Sequence, residues 1–204
     1  MAEPELGPIA ALVRRDDPLL FRTALFAAEP GRGRLMTLYA FDIELSRALS
    51  RTREPMIARM RLQWWRDVVE AAAAGGAPRR HEVAAPLHAL VADGRLSRPA
   101  LDGLIEAREA ELEGLDDRGA FEAWATRRFG GLIALAAESL GAGAGPVADA
   151  ADAAGRAMAA AFVLRHAGPM AAEGRAPLLP GAGAESRRAL ARGETDAEMR
   201  AAAS

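Results

Sequence analysis

The chain has 204 residues with a formal net charge of −2, and half of them are hydrophobic but only 5% aromatic. The near-neutral charge does not favour binding to nucleic acid, and the absence of cysteine excludes disulfides, thiolate metal sites and thiol nucleophiles. Alanine, the strongest helix former, supplies much of the apolar half, and the β-branched residues that sheets favour are scarce. The composition therefore predicts an all-α fold in a chain long enough for one domain with a sizeable core.

Capping residues and glycine–proline breaks divide the chain into helices. Asp17 is a favourable N-cap for the first helix, and Gly94 is a favourable C-cap for the fourth. In chain order, helices are predicted over about 17–28, 31–50, 55–74, 81–93, 98–113, 120–140, 147–165 and 185–192. Their short connections predict one antiparallel bundle spanning 1–204, with residues 1–16 and 193–204 loosely ordered.

Two of these helices carry distinctive apolar patterns. The helix over 31–50 has much of its apolar surface at Leu35, Leu38, Ile43, Leu45 and Leu49. In the next helix, Met56, Met60, Trp64 and Val68 follow one another at four-residue spacing and form one stripe. We expect Trp64 and the adjacent Trp65 in the core or in a groove, with a lipid-contacting face as the alternative.

Targeting and membrane segments are not predicted. No uninterrupted apolar run reaches the roughly 20 residues that a membrane-spanning helix needs. The first residues, MAEPELGPIAALVRRDDP, lack the basic start and long apolar segment of a signal peptide. We therefore expect a cytoplasmic protein with no transmembrane segment.

The histidines and the clustered acids have ordinary structural explanations. His81 and His88 are seven residues apart, but without cysteine or an H-E-x-x-H spacing they favour surface or capping roles over a metal site. Asp149 and Asp152 lie near a predicted helix start, where capping and the helix dipole favour acids. In EAREAELEG a solvated acidic face is commoner than a Mg²⁺ site. Its glutamates are Glu106, Glu109, Glu111 and Glu113.

The stretch LYAFDIELSRALS resembles the first acidic motif of the squalene/phytoene synthase family. In that family a Tyr-Ala-Phe/Trp-Cys-Arg lead-in precedes acids at a D-[DE]-x-x-D spacing, and here Tyr39 begins a matching YAF. The acidic positions are occupied by Ser46, Arg47 and Ser50. The nearby acids Asp42 and Glu44 lie two residues apart and so do not share a helix face.

The stretch FVLRHAGPMAAEGRAPLLP resembles the second motif of the same family. In the enzymes this motif reads roughly N-I-L-R-D-V-x-E-D and is followed by G-R-x-Y-L-P. Its aspartate positions fall on His166 and Met170, and its glutamate falls on Pro169, which is expected to interrupt the helix. The matching residues left to bind a diphosphate or another ligand are Arg165, Arg175 and Tyr39.

The resemblance implies a single-domain antiparallel helical bundle of the isoprenoid synthase type. In the family's enzymes, two Asp-rich motifs hold Mg²⁺ against prenyl diphosphates, because hard cations neutralise the charge that ionisation leaves. Every acid of both motifs is replaced here. The resemblance therefore implies no catalytic residue, no metal site and no cofactor; Mg²⁺ is expected only if the chain is an active prenyl-diphosphate transferase with altered metal binding.

Four stretches resemble a non-catalytic branch related to a mitochondrial assembly factor for respiratory complex I: YAFDIELSRA, MIARMRLQWWRDVVEA, EAREAELEG and LRHAGPMAAEGRAPLLP. This resemblance implies an inactive protein that assists complex I assembly, partnered by a complex I subunit or assembly intermediate and peripheral to the inner membrane. The alternatives are the active transferase and an isoprenoid- or lipid-binding module. Family members usually continue with more helices after the LP segment, so we expect a fold shortened at its C-terminus.

Overall fold

The computed structural model describes residues 7–115, 117–142 and 144–172, excluding the side chains of 144, 146 and 167–172. The helices are α1 (Pro8–Asp16), α2 (Pro18–Ala24), α3 (Gly31–Ser50), α4 (Pro55–Ala73), α5 (Ala84–Ala92), α6 (Arg98–Glu113), α7 (Arg118–Ala125), α8 (Gly131–Ser139) and α9 (Ala144–Ala172). A π-helical turn, Thr126–Gly130, joins α7 to α8. The predicted all-α fold is confirmed, and these described ranges contain no strand.

Helix α1 forms within the segment 1–16 that was expected to be loosely ordered, so that expectation is wrong for Pro8–Asp16. Leu12 and Val13 are buried, and α1 packs against α2 and α3. Adjacent apolar residues in a short helix are enough to anchor it when a neighbouring helix offers an apolar surface. Residues 1–6 and the predicted helix 185–192 lie outside the described residues, as does the segment 193–204.

The first predicted helix is correct at its start and too long at its end. Asp17 caps α2 as predicted, because its Oδ1 accepts hydrogen bonds from the backbone N–H of Leu19 at 3.1 Å and of Leu20 at 2.9 Å. The helix ends at Ala24, four residues before the predicted end. The residues that follow form tight turns instead.

The apolar stripe predicted along α4 is buried only at its C-terminal end. Val68 is buried, whereas Met56 and Met60 are 64% and 66% exposed. Residues four apart in a helix are displaced by about 40° around its axis, so a row at this spacing rotates away from the core. The residues of α4 that are buried are Ala58, Leu62, Trp65, Val68, Val69 and Ala72.

The apolar core has two parts. The larger part unites α1 to α6 with α8, and it contains all five apolar residues predicted for α3. The smaller part is centred on Trp124, whose ring lies edge-on to that of Phe129 at a centroid distance of 5.5 Å. The two parts are joined through α6, which contributes residues to both.

Helix α9 crosses the π turn at very close range. A Cβ atom on Gly155 would lie 2.4 Å from the backbone nitrogen of Gly130 and 2.7 Å from its Cα atom. The crossing therefore requires glycine at position 155. It holds the π turn, and with it Arg128, against the rest of the bundle.

Helix α9 also corrects the expectation that Pro169 interrupts the helix, because α9 continues to Ala172. A proline removes one backbone hydrogen bond and crowds the preceding turn. The earlier turns of α9 are held by packing against the π turn and α8, so the helix persists past that local defect. None of the described helices combines the length and hydropathy needed to cross a membrane.

Candidate functional site

Four charged side chains meet inside the molecule where α3, α6 and the π turn pack together. They are Asp42 of α3, Arg108 and Glu111 of α6, and Arg128 of the π turn, and we call them the ion cluster. Their exposed fractions lie between 3% and 8%. Two carboxylates balance two guanidinium groups, so the ion cluster has no formal net charge.

Direct hydrogen bonds connect the members of the ion cluster. Arg128 Nη1 donates to Asp42 Oδ1 at 2.8 Å, and Arg108 Nη2 donates to the same oxygen at 3.2 Å. Arg108 Nη1 donates to both carboxylate oxygens of Glu111, at 3.2 and 3.3 Å. The indole N–H of Trp124 also donates to Glu111, at 3.1 Å, which ties the cluster to the smaller apolar core.

Burial dominates the electrostatics of the ion cluster. Desolvation lowers the pKa of Arg128 below its ordinary value and the neighbouring Arg108 adds to that shift, whereas Asp42 and Glu111 oppose it. Removing one partner from such a buried set leaves an uncompensated charge and costs about 3–5 kcal/mol. The packing of α3, α6 and the π turn therefore depends on all four groups.

Ser46, the first acidic position of the first motif, contacts the ion cluster. Its hydroxyl donates to the backbone oxygen of Asp42 at 3.1 Å and accepts a hydrogen bond from Arg108 Nη2 at 2.5 Å. Ser50, at the last position of that motif, is exposed at the end of α3. Ser46 therefore adds one hydrogen bond to Arg108 at the position where the resemblance implies a metal-binding carboxylate in the enzymes.

Arg47, the middle position of the first motif, lies on a different side of α3 and joins it to α1. Its guanidinium group pairs with Glu44 and with Asp16. Burial alone would lower the pKa of Arg47, but the two carboxylates outweigh it and raise that pKa. Burial alone would likewise raise the pKa of Asp16, but Arg15 and Arg47 outweigh it and lower that pKa.

The second motif positions lie on α9. The Nδ1 atom of His166 forms a hydrogen bond with the backbone oxygen of Phe162 at 2.8 Å, and the two rings stack at a centroid distance of 4.3 Å. His166 thus contacts the smaller apolar core, to which Phe162 belongs. The side chain of Met170 lies outside the described residues.

Two of the three predicted ligand-binding residues, Tyr39 and Arg165, lie within the described residues. Tyr39 is buried, and burial raises the pKa of its hydroxyl while a hydrogen bond with Thr23 of α2 opposes that shift. Arg165 is exposed on α9. Arg175 lies outside the described residues, and no hydrogen bond within the described ranges connects Tyr39 to Arg165.

The remaining histidines have the structural roles that the sequence predicts. His81 Nδ1 accepts hydrogen bonds from the backbone N–H of Val83 at 3.1 Å and of Ala84 at 3.3 Å, so it caps α5. His88 Nε2 forms a hydrogen bond with the backbone oxygen of Gly76 at 2.9 Å. Across the described ranges, no group of three or more His, Asp or Glu side chains comes together as a metal site.

The glutamates of α6 do not form one solvated face. Three of them have separate arginine partners: Glu106 with Arg127, Glu109 with Arg66, and Glu113 with Arg59. Glu111 corrects the prediction, because its side chain is buried in the ion cluster. Helical periodicity predicts that Glu111 lies on a different side of α6 from Glu109 and Glu113. It does not show which side of α6 packs against α3.

The residues of the ion cluster do not fit Mg²⁺. A Mg²⁺ site needs carboxylate oxygens that are available to the metal, whereas Asp42 and Glu111 already accept hydrogen bonds from arginine. The buried atoms of the cluster left without a hydrogen-bond partner are both donors, Nε of Arg108 and Nε of Arg128. Two adjacent guanidinium groups would also repel a divalent cation.

The described helices form an all-α bundle that is consistent with the isoprenoid synthase type. The family model for squalene/phytoene synthase matches residues 13–203. Comparison with curated proteins and with solved structures gave no match. Because the family model covers most of the chain, the chain belongs to the squalene/phytoene synthase family.

The sequence draws attention to two residues of the ion cluster, Glu111 in the stretch EAREAELEG and Asp42 near the first motif. Asp42 does not share a helix face with Glu44, the other acid near that motif. Its partners are instead on other elements, with Arg108 66 residues and Arg128 86 residues away along the chain. The available signal was the stretch EAREAELEG, which resembles the non-catalytic branch and contains both Arg108 and Glu111.

Proposed function

We propose that this chain is a non-catalytic member of the squalene/phytoene synthase family that assists the assembly of respiratory complex I. The observation that carries its inactivity is the ion cluster. Beside Ser46, the carboxylates of Asp42 and Glu111 are bound by Arg108 and Arg128. Ionisation of a prenyl diphosphate needs divalent cations against the leaving group, and these residues are unsuited to hold them.

The assembly role is supported by the four stretches that resemble the non-catalytic branch. Two of them, MIARMRLQWWRDVVEA and EAREAELEG, supply most of α4 and much of α6. The second stretch contributes Arg108 and Glu111, so the residues that carry this resemblance include two that build the ion cluster. On the same resemblance, we propose that the chain acts at the periphery of the inner membrane.

The active transferase is the less favoured function. It would require a metal-binding set elsewhere, and Glu44, the other acid considered near the first motif, is paired with Arg47. The isoprenoid-binding module has no supporting observation in the described residues, because Arg165 is exposed on α9 and does not join Tyr39 in a common site.

Inactivity is tested with purified protein, farnesyl or geranylgeranyl diphosphate, and MgCl₂. We expect release of inorganic diphosphate at the rate of the buffer alone, because the acids that would hold the metal are absent from both motif positions. Release that depends on the protein and stops on addition of EDTA would contradict inactivity.

The assembly role is tested with a strain that lacks this chain. We expect less assembled complex I on native gels and lower NADH dehydrogenase activity, both restored by the wild-type gene. A double variant, Ser50→Ala with His166→Ala, should restore them equally, since neither side chain has a catalytic role. Normal complex I in the deletion strain would contradict the assembly role and leave the result on inactivity unchanged.

A further inference from the structure

A groove of about 290 Å³ opens between α3 and α4, near the N-terminal end of α5. Its lining includes Arg51 directly after α3, Arg61 and Trp64 of α4, and His81. We call it the α3–α4 groove. Residues in an α-helix advance by about 100° each, so Ala48, which also lines the groove, points about 160° away from Ser46. The groove is therefore on a different side of α3 from the ion cluster.

The α3–α4 groove has an excess of positive charge. Its one carboxylate, Glu44, is bound by Arg47, which also pairs with Asp16. Arg51 and Arg61 form no ion pair or side-chain hydrogen bond with any residue that the structure describes. Two guanidinium groups thus line one groove with all of their donors available to an anion.

The inner side of the groove is aromatic. The rings of Trp64 and Trp65 meet edge to face at a centroid distance of 4.8 Å, and His81 lies 5.5 Å and 5.3 Å from them. Trp65 is buried, whereas Trp64 is partly exposed to the groove. The guanidinium group of Arg79 lies over the Trp64 ring at 5.4 Å from its centroid, so the apolar surface next to Arg51 and Arg61 is the part of Trp64 that lines the groove.

The hydrogen bonds of His81 fix which of its ring nitrogens can donate. Since Nδ1 accepts from the backbone N–H of Val83 and Ala84, the neutral ring carries its proton on Nε2. No other described group accepts a hydrogen bond from that nitrogen. The groove therefore offers an imidazole N–H in addition to its two guanidinium groups.

We infer that the α3–α4 groove binds a phosphate monoester carried on an apolar body. A phosphate monoester has a charge of about −1.5 to −2 near neutral pH and three acceptor oxygens, which match two arginines and one N–H donor. The apolar body packs on Trp64. The groove includes Arg47, the middle position of the first motif, but the donors that hold the phosphate, Arg51, Arg61 and His81, belong to neither motif. The inference does not depend on a role in complex I assembly.

Binding is measured by isothermal titration calorimetry with hexyl phosphate, inorganic phosphate and hexanol. Hexyl phosphate binds most tightly because it satisfies both the arginines and the aromatic surface. Inorganic phosphate binds more weakly, and hexanol shows no saturable binding. Affinity for hexyl phosphate falls as ionic strength rises, since exposed charges are screened by salt.

Two variants locate the site. Arg51→Gln and Arg61→Gln each weaken binding of hexyl phosphate by about tenfold or more, because each loses a charge-assisted hydrogen bond. Arg95→Gln is the matched control: Arg95 is exposed, lies outside the groove and forms no side-chain hydrogen bond or ion pair with the described residues. It removes the same charge and leaves the affinity unchanged.

Vesicles distinguish a lipid headgroup from a soluble ester. The wild-type protein is sedimented with phosphatidylcholine vesicles that contain phosphatidic acid. Co-sedimentation that is lost in Arg51→Gln and Arg61→Gln identifies a lipid headgroup as the source of the phosphate. Binding of hexyl phosphate without co-sedimentation identifies a soluble ester. Failure of both hexyl phosphate and these vesicles to bind, or equal binding by Arg61→Gln and Arg95→Gln, overturns the inference.

Discussion

Arginines on the two sides of α3 differ in their partners. Inside the bundle, Arg108 and Arg128 share the carboxylates of Asp42 and Glu111, and every member is almost fully buried. In the α3–α4 groove, Arg51 and Arg61 have no acidic partner among the described residues, and both are exposed. Arginine is therefore paired with carboxylates in the ion cluster, whereas Arg51 and Arg61 in the groove have no such partner.

The physical reason for this difference is the cost of removing charge from water. A buried guanidinium group needs a carboxylate within contact distance, because desolvation without compensation costs several kcal/mol. An exposed guanidinium group stays solvated and can remain without a partner. The buried charges of the ion cluster thus pair with one another. In the α3–α4 groove, the guanidinium groups of Arg51 and Arg61 can still donate hydrogen bonds to a ligand.

The largest effect is expected for Asp42→Asn. The substitution leaves two buried guanidinium groups with one carboxylate, so the free energy of unfolding should fall by about 3–5 kcal/mol. Urea denaturation followed by circular dichroism measures it. The control is Asp67→Asn, which removes a partly exposed acid paired with Arg79 and should cost about 0–1 kcal/mol. An equal decrease in the free energy of unfolding for Asp42→Asn and Asp67→Asn would contradict the stronger dependence of stability on the buried carboxylate.

The next largest effect is expected where α9 crosses the π turn that carries Arg128. Gly155→Ala places a methyl group against the backbone of Gly130 and should destabilise the protein by about 1–3 kcal/mol. Gly103→Ala in α6 is the control, because nothing lies within 4 Å of the added Cβ atom. Better helix propensity should stabilise that variant by about 0.5–1 kcal/mol. Thermal melts should show a lower melting temperature for Gly155→Ala and a higher one for Gly103→Ala than for the wild type.

A smaller effect is expected for the Asp16–Arg47 pair between α1 and α3. The pKa of Asp16 is lowered in the folded state, so its contribution is present above the ordinary value of 3.8 and is lost as pH falls below it. Asp16→Asn should therefore cost up to about 1 kcal/mol at neutral pH. The difference from wild type should shrink below pH 3.8. A difference that stays constant down to pH 2 or grows on acidification would contradict this sign.

No effect is expected from divalent metal. The carboxylates of the ion cluster are bound by arginine, so the melting temperature should be the same with MgCl₂ as with EDTA. A ligand that binds only the folded state raises the melting temperature, and the rise grows with the logarithm of its concentration relative to Kd. A melting temperature that rises with MgCl₂ and falls again with EDTA would contradict this prediction and show that the protein binds the metal.

Local sequence signals predicted much of the helical framework. Asp17 caps α2 as predicted, and the helix bounds over 31–50 and 98–113 agree with α3 and α6. These features depend on backbone hydrogen bonds and on contacts within a few residues, which the sequence displays directly. The loss of the acids at Ser46 and Ser50 is equally visible in the sequence.

The tertiary structure alone decided what replaces those acids. Asp42, Arg108 and Arg128 come from separate elements, and helical spacing cannot show which sides of two helices meet. The π turn at Thr126–Gly130 adds to this difficulty, because its register shifts Arg128 relative to an uninterrupted α-helix. The sequence by itself determined an all-α member of its family with altered motifs. Only the packing of α3, α6 and the π turn decided that buried arginines would neutralise the remaining carboxylates, since long-range contacts depend on the whole fold.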